Sequence, residues 1–236
     1  MSKNINIAAC VDETMFPGLV GLIGSLLKNL NIGTRLNFFL VTDNEIENKY
    51  LYSSLHKYIS NHSNVISLHK INVDLSPFND FYLGGHFSKL TYARLLLPDL
   101  LPDIHKLLYL DVDIIVRRPI EYLFHVDLSG YYIAAVQSHK MEAIKTYETV
   151  HKRFHTHPSA AYFNAGVLLM NLKKMRNNNF LKRIIAVGKE LKGIDYYVDQ
   201  DLLNVVCASK WKPLNKEWNS IVVLEKDRPN YYHHSS

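Results

Sequence analysis

At 236 residues, 47% of them apolar and 21% charged, the chain is long enough to bury a substantial core and too apolar for disorder or low complexity. Its formal charge of +5 comes from 27 basic and 22 acidic residues, and its two cysteines, Cys10 and Cys207, stand far apart in no CxxC pattern. Disulfide scaffolds are excluded and reduced cytosolic thiols expected; no apolar run approaches the ~20 residues of a membrane span, and the opening MSKNINIAACVDE lacks the basic-then-apolar pattern of a secretion signal.

In chain order, Asn4 to Cys10 has the length and composition of a strand. Apolar residues at Leu19, Leu22, Ile23, Leu26, Leu27 and Leu30 predict a helix over Pro17 to Leu30, with Pro17 near its start. Leu36 to Thr42 reads as a second strand, Glu45 to Ile59 as an amphipathic helix and Val65 to Ile71 as a third strand, which is the β-α-β-α-β opening of a nucleotide-binding half. Phe87 to Leu97 predicts a helix that ends before Pro98, and Lys106 to Leu110 a buried strand. Further strands are expected at Tyr132 to Val136 and Phe163 to Met170, with helices at Met141 to Phe154, Lys173 to Leu191 and Asp199 to Cys207. This alternation predicts an α/β fold, a mostly parallel sheet flanked by helices, in one continuous domain.

The sharpest local signal is KLLYLDVDIIV, residues 106 to 116. In an extended segment Asp111 and Asp113 project to the same side while Val112 offers its backbone elsewhere. Carboxylates at the carboxyl end of a buried strand sit where α/β sheets place ligands, and held together they repel unless a divalent cation neutralises them. Hard oxygen ligands suit Mg²⁺ or Mn²⁺, which in turn hold phosphate oxygens. Two chemistries use such a strand end. A dehalogenase-type phosphotransferase places the motif near the chain start, with Thr or Val where Ile115 stands, and needs a later acidic pair; no DD follows Asp113. A nucleotide-sugar transferase uses DxD to hold a metal on the donor diphosphate.

The runs SKLTYARLLLPDLLPDIHKLLYLDVDIIVRRPIEYLF, YFNAGVLLMNLKKMR, DQDLLNVV and LNKEWN decide between them, because in order and spacing they resemble glycosyltransferase family 8. The likeness is strongest to its bacterial lipooligosaccharide and lipopolysaccharide galactosyl- and glucosyltransferases, and it runs from Ile5 to about Asn219. It implies a GT-A, Rossmann-like mixed sheet that binds a UDP-hexose with Mn²⁺ or Mg²⁺ and transfers the sugar with retention to an oligosaccharide or lipid-linked glycan. Asp111 and Asp113 match the family's metal ligands, and Arg94 in TYAR its arginine near the donor phosphates. Asn164, Ala165 and Gly166 match the loop that lines the donor sugar. Asp199 would grip sugar hydroxyls, Gln200 would lie beside the anomeric carbon, and Asp201 completes the DQD element. Asp199 is equally placed to cap a helix. Gln200 is a poor nucleophile, which favours a same-face displacement; Asp199 and Asp201 stay open as nucleophiles. Asp12 matches the residue on the uracil edge, and Met15 stands where the family usually stacks a Tyr.

After Asn219 nothing matches the family's closing HxxGxxKPW, which supplies a third metal ligand and a diphosphate-binding Lys. The expectation is a catalytic domain over 1–219 with a short tail, 220–236, and a truncated or weakened metal site. A nucleotide-sugar-binding protein with little or no transfer is the alternative. His233 and His234 read as a solvated tail and His155 and His157 as surface loop residues. Eleven basic residues between Lys140 and Lys192 (among them Lys145, Lys152, Arg153, Lys173, Lys174, Arg176, Lys182, Arg183 and Lys189) read either as solvated helix faces or as an attraction to phosphates or a membrane surface at the cytoplasmic face. No RNP-like pattern, finger spacing or basic arm accompanies them, so nucleic acid is not an expected partner.

Overall fold

Alternating burial along the strands divides the apolar residues between the two faces of one sheet. In β1 (Lys3–Cys10) and β4 (Lys106–Leu110), Ala8, Leu107 and Tyr109 enter a core on one face, while Ile5, Ile7, Ala9, Leu108 and Leu110 enter a second core on the other. Strands covered on both sides read as continuous apolar runs, which is why KLLYL is legible without alternation. The computed structural model describes residues 3–43, 49–60, 62, 65–84, 87–138, 148–150, 152–154, 161–194 and 196–220.

The remaining elements are α1 (Phe16–Asn29), β2 (Thr34–Thr42), α2 (Lys49–Ser60), β3 (Val65–Asn72), a 3₁₀ helix over Lys89–Leu96, α3 (Leu97–Leu100), α4 (Glu121–Phe124), β5 (Ile133–Gln137), β6 (Phe163–Asn171), α5 (Leu172–Asn177), α6 (Phe180–Glu190), α7 (Val198–Cys207) and β7 (Trp211–Leu214). Their strands form a sheet in the order β3-β2-β1-β4-β6-β5-β7. β1 runs parallel to both β2 and β4, β2 to β3 and β5 to β7; β6 is antiparallel to its neighbours β4 and β5. The expected mixed, mostly parallel sheet is therefore present, and the antiparallel β6 brings its first residues to the end where β4 finishes.

Three local expectations change. Phe87 to Leu97 is a 3₁₀ rather than an α-helix, and Pro98 does not stop it: Pro98 lies in the first turn of α3, where a missing N–H costs nothing. The helix expected over Lys173 to Leu191 is two helices, broken where Asn179 adopts a left-handed backbone with φ of 51°. Asparagine tolerates that conformation, and the run Asn177-Asn178-Asn179 was the available signal. β7 was not foreseen because it contains Pro213; as the sheet's edge strand it needs no ladder donor there. Of the helix expected at Met141 to Phe154, residues 148–150 and 152–154 are helical and the rest lies outside the described residues, as do 44–48 ahead of α2.

The basic stretch is partly structural. Arg176 donates to the carbonyls of Pro98, Leu101 and Ile104, and Arg183 to Tyr132 Oη and the carbonyl of Val206. Lys152, Arg153, Lys173, Lys182, Lys189 and Lys192 are exposed, while Lys140 and Lys145 lie outside the described residues. Cys10 and Cys207 are free thiols, each pushed up to about 12 by burial, so neither is a ready thiolate at neutral pH. No helix among the described residues is long and apolar enough to cross a membrane.

Candidate active site

The strand order reverses between β1 and β4, and at such a switch point the connections leave opposite faces of the sheet and open a crevice at the carboxyl ends. A cleft of about 930 Å³ lies there, lined by Arg94, Asp111, Asp113, Asn164, Ala165, Gly166, Asp199 and Gln200 among others. Segments distant in sequence thus share one wall.

The DVD segment is a turn, not an extension of β4. Asp111 N–H still donates to the Gly166 carbonyl of β6 at 2.9 Å, but Ile114 N–H returns to the Asp111 carbonyl at 3.2 Å, so the chain turns at Val112 and Asp113, and turn geometry rather than strand alternation brings Asp111 and Asp113 to the cleft. Helix α1 lies tight against this turn. A Cβ on Gly18 would stand 2.8 Å from the Val112 carbonyl oxygen, closer than packing allows, so only glycine fits.

Arg94 joins the two acidic elements. Its Nη1 lies 3.0 Å from Asp111 Oδ1 and donates to the Ala165 carbonyl at 2.9 Å, while Nε lies 3.0 Å from Asp199 Oδ2. The 3₁₀ helix explains the arrangement: at three residues per turn Thr91 and Arg94 fall on one line, and Thr91 Oγ1 donates to Asp199 Oδ1 at 2.6 Å. Below the guanidinium, Tyr109 offers its ring face 4.6 Å away and donates its hydroxyl to Asp111 Oδ1 at 2.7 Å. Burial works against the charge on Arg94, but Asp111 and Asp199 outweigh it and hold its pKa above the ordinary value. Burial raises Asp199 despite Arg94 and Thr91. The Arg94 Nε–H is spent on the Thr91 carbonyl, so Asp199 Oδ2 is buried with an ion-pair neighbour but without a hydrogen bond. Such an atom fits an incoming hydroxyl donor.

Behind this wall Gln200 is fully engaged on two sides. Its Oε1 accepts from Ala165 N–H at 2.8 Å and its Nε2 donates to Tyr162 Oη at 2.7 Å. Tyr162 donates onward to Asp201 Oδ1 at 2.8 Å, and Tyr197 N–H donates to Asp201 Oδ2. Val198, between Tyr197 and Asp199, has a φ of 48°, costly for a β-branched residue and held by these contacts. Asp201 is fully buried and does not line the cleft, so the nucleophile role left open for it does not agree with its position.

Burial pushes Asp201 from 3.8 up to about 6. Between about pH 4 and 6 the folded chain then binds more protons here than the unfolded one, so this group's contribution to stability is greatest at the acid end and falls by up to about 3 kcal/mol as pH rises through that window. Chemical denaturation at pH 4 and at pH 7 is expected to show a smaller acid-side advantage in Asp201→Asn than in wild type; equal pH slopes would contradict the assignment.

Of the other residues singled out in the sequence, Asp12, Met15 and Val112 do not line the cleft. Asp12 Oδ1 accepts from Met15 N–H at 3.1 Å and from Thr14 Oγ1 at 2.6 Å, forming the entry to α1, and Met15 is 40% exposed. Asn164 Oδ1 accepts from Gly166 N–H at 2.8 Å and from Asn219 Nδ2 at 2.6 Å. Thr91, Tyr109, Tyr162 and Asn219 were not foreseen as site residues. For Asn219 the run LNKEWN was a usable signal; for the tyrosines there was none, because a buried Tyr in an apolar run reads as core. His155, His157, His233 and His234 lie outside the described residues.

Asp111 and Asp113 supply hard oxygen donors for a divalent cation, beside a glycine that keeps space open: a Cβ on Gly166 would stand 3.1 Å from Asp111 Oδ2. Those two residues fit the metal. Among the described residues no group of three or more His, Cys, Asp or Glu is placed to hold one.

A family model described as glycosyl transferase family 8 matches residues 6–235. A Haemophilus influenzae protein that carries the general name of glycosyltransferase is 30% identical over 221 residues, 92% of this chain and 64% of its own length. The lipopolysaccharide 1,2-glucosyltransferase of Escherichia coli is 26% identical over 98% of this chain and 67% of its own. Among solved structures, the galactosyltransferase LgtC with donor and acceptor sugar analogues superposes with a TM-score of 0.77 at 26% identity, covering 90% of this chain and 74% of LgtC; a form of LgtC with an active-site Gln replaced by Glu gives 0.78 at 27%.

Proposed function

The chain belongs to glycosyltransferase family 8, with its GT-A fold, and on that premise we propose that it is a retaining hexosyltransferase that moves galactose or glucose from a UDP-sugar to a glycan acceptor of the lipooligosaccharide or lipopolysaccharide type. The observation that carries the reading is the Asp111-Arg94-Asp199 array in one cleft at the switch point. In this reading Arg94 meets the donor near its diphosphate, and Asp199 Oδ2 accepts a donor-sugar hydroxyl. Asn164 and the Gly166 backbone line the sugar pocket. Asp111 and Asp113 hold Mn²⁺ or Mg²⁺, which when bound neutralises charge on the leaving diphosphate. Asp12 and Met15, at the end of β1, are assigned to the uracil side. Of the two glutamines, Gln137 and Gln200, only Gln200 lines the cleft, which supports reading it as the counterpart of the active-site glutamine of LgtC. An amide beside the anomeric centre cannot form the glycosyl ester that a carboxylate would, which accords with same-face displacement, and the Nε2–H that it does not spend on Tyr162 can hold a sugar or acceptor oxygen in place. The cytoplasmic face of the membrane is the assigned place of action, the exposed lysines of α6 providing weak attraction to anionic headgroups.

A panel of UDP-sugars tests the proposal. UDP-galactose or UDP-glucose is expected to be hydrolysed slowly without acceptor, dependent on Mn²⁺ or Mg²⁺ and abolished by chelation. Donor binding without any turnover in excess Mn²⁺ points to a nucleotide-sugar-binding protein, and release of inorganic phosphate to phosphotransferase chemistry; either overturns the reading.

A further inference from the structure

The hydrogen bonds behind the cleft form a chain whose direction is dictated at both ends. Tyr197 N–H and Ala165 N–H are main-chain groups that can only donate, and an ionised carboxylate can only accept. Starting from one end, Asp201 accepts from Tyr197 with Oδ2, so its Oδ1 must receive the Tyr162 hydroxyl proton. Tyr162 Oη, having given its proton away, is left as an acceptor and takes Gln200 Nε2–H at 2.7 Å. Starting from the other end, Ala165 N–H requires an oxygen and finds Gln200 Oε1 at 2.8 Å. Both routes impose the same face of the Gln200 amide. One Nε2–H remains for whatever occupies the cleft that Gln200 lines.

We propose that Tyr162 and Asp201 are positioning residues that lock the orientation of the Gln200 amide, holding Oε1 on Ala165 N–H and leaving one Nε2–H for a ligand in the cleft. The scaffold around them is rigid. Asn204 donates to the Phe163 and Gln200 carbonyls and accepts from Phe163 N–H at 2.8 Å, tying α7 to the start of β6 on either side of the relay. Ser138 N–H holds the Tyr162 carbonyl at 2.8 Å. Burial pushes the Tyr162 hydroxyl well above its ordinary pKa, so it keeps the proton it donates. The inference rests on the hexosyltransferase reading only for its kinetic consequence; the lock itself is a property of the protein alone.

The replacement Asp201→Asn is nearly isosteric but reverses the relay. Tyr197 N–H claims the new amide oxygen, the amide nitrogen faces Tyr162, and the Tyr162 hydroxyl must then donate to Gln200. That demands the Gln200 oxygen where Ala165 N–H also demands it. Tyr162→Phe removes the connection instead. With one hydrogen bond of orientation lost, Tyr162→Phe is expected to lower kcat about 10-fold, and the conflict in Asp201→Asn about 100-fold, each with donor KM changed less than about threefold. The double variant is expected to be no worse than Asp201→Asn, because no hydroxyl is left to carry the reversal; effects that multiply to about 1000-fold, or a loss of melting temperature with kcat unchanged, overturn the proposal. An independent readout needs no substrate. Selective ¹⁵N labelling of glutamine yields two side-chain NH₂ pairs, from exposed Gln137 and buried Gln200. Near pH 8 the Gln200 pair is expected to exchange with solvent slowly in wild type and about 10-fold faster in Tyr162→Phe and in Asp201→Asn. Unchanged exchange in whichever of these variants folds overturns the lock even if hexose transfer is established, and altered exchange upholds it even if transfer is not.

Discussion

Replacing Arg94 by alanine is expected to cost about 3–5 kcal/mol of stability and to abolish donor binding, because it leaves the carboxylates of Asp111 and Asp199 facing each other across the void of a buried guanidinium. Arg94 is 8% exposed and gathers the site: it touches the turn after β4, the start of β6 through the Ala165 carbonyl, and α7 through Asp199. Against a total stability of about 5–15 kcal/mol for a domain, such a loss is large. Arg94→Lys separates charge from geometry. A lysine keeps one positive charge but cannot present donors to Asp111, Asp199 and Ala165 at once, so the expected result is a chain that folds with a smaller loss and still binds donor poorly. Thermal unfolding and calorimetry with a UDP-sugar check both variants; an Arg94→Ala protein with near-wild-type melting temperature would remove the ion-pair array from the account of this site.

Gln200→Ala is expected to lower turnover about 100- to 1000-fold, as loss of one preorganised hydrogen-bond donor at a reacting centre does elsewhere. Donor affinity should persist, since Arg94, Asp111 and Asp199 are untouched. The variant also leaves Ala165 N–H and Tyr162 Oη without their partner, so a drop of about 1–3 kcal/mol in stability accompanies it. Single-turnover kinetics at saturating donor, at a temperature well below unfolding, separates the two effects. A rate within a fewfold of wild type would take Gln200 out of the chemistry.

Much of the site was legible where the signal is local. Asp111 and Asp113 could be read because five apolar residues announce a buried strand and two carboxylates follow it at once. Arg94, Asn164 and Asp199 were reached only through resemblance, since nothing in TYAR, FNAG or DQD by itself says that these residues meet. The hydrogen bond from Thr91 to Asp199 spans 108 positions and that from Tyr162 to Asp201 spans 39, and neither spacing has a local signature. Asp201 shows the limit most clearly. As a carboxylate beside Gln200 it reads as a candidate nucleophile, yet the helical turn of α7 directs it behind the wall, where Tyr162 and the Tyr197 backbone occupy both its oxygens.

The amino-acid sequence alone specified the alternation of elements, a mostly parallel sheet and the place of Asp111 and Asp113 just after a buried strand, because burial on both faces demands apolar strands of a set length. Only the fold could show that Arg94 joins two acidic segments, that half-buried Arg176 and exposed Arg183 are tied to backbone carbonyls rather than left as free surface charge, and that a tyrosine and a carboxylate hydrogen-bond in series to one amide. The physical reason is common to all three. Strand and helix periodicity is written in neighbouring residues, whereas a buried polar group is satisfied by whichever donor or acceptor the fold brings within about 3 Å, however distant along the chain.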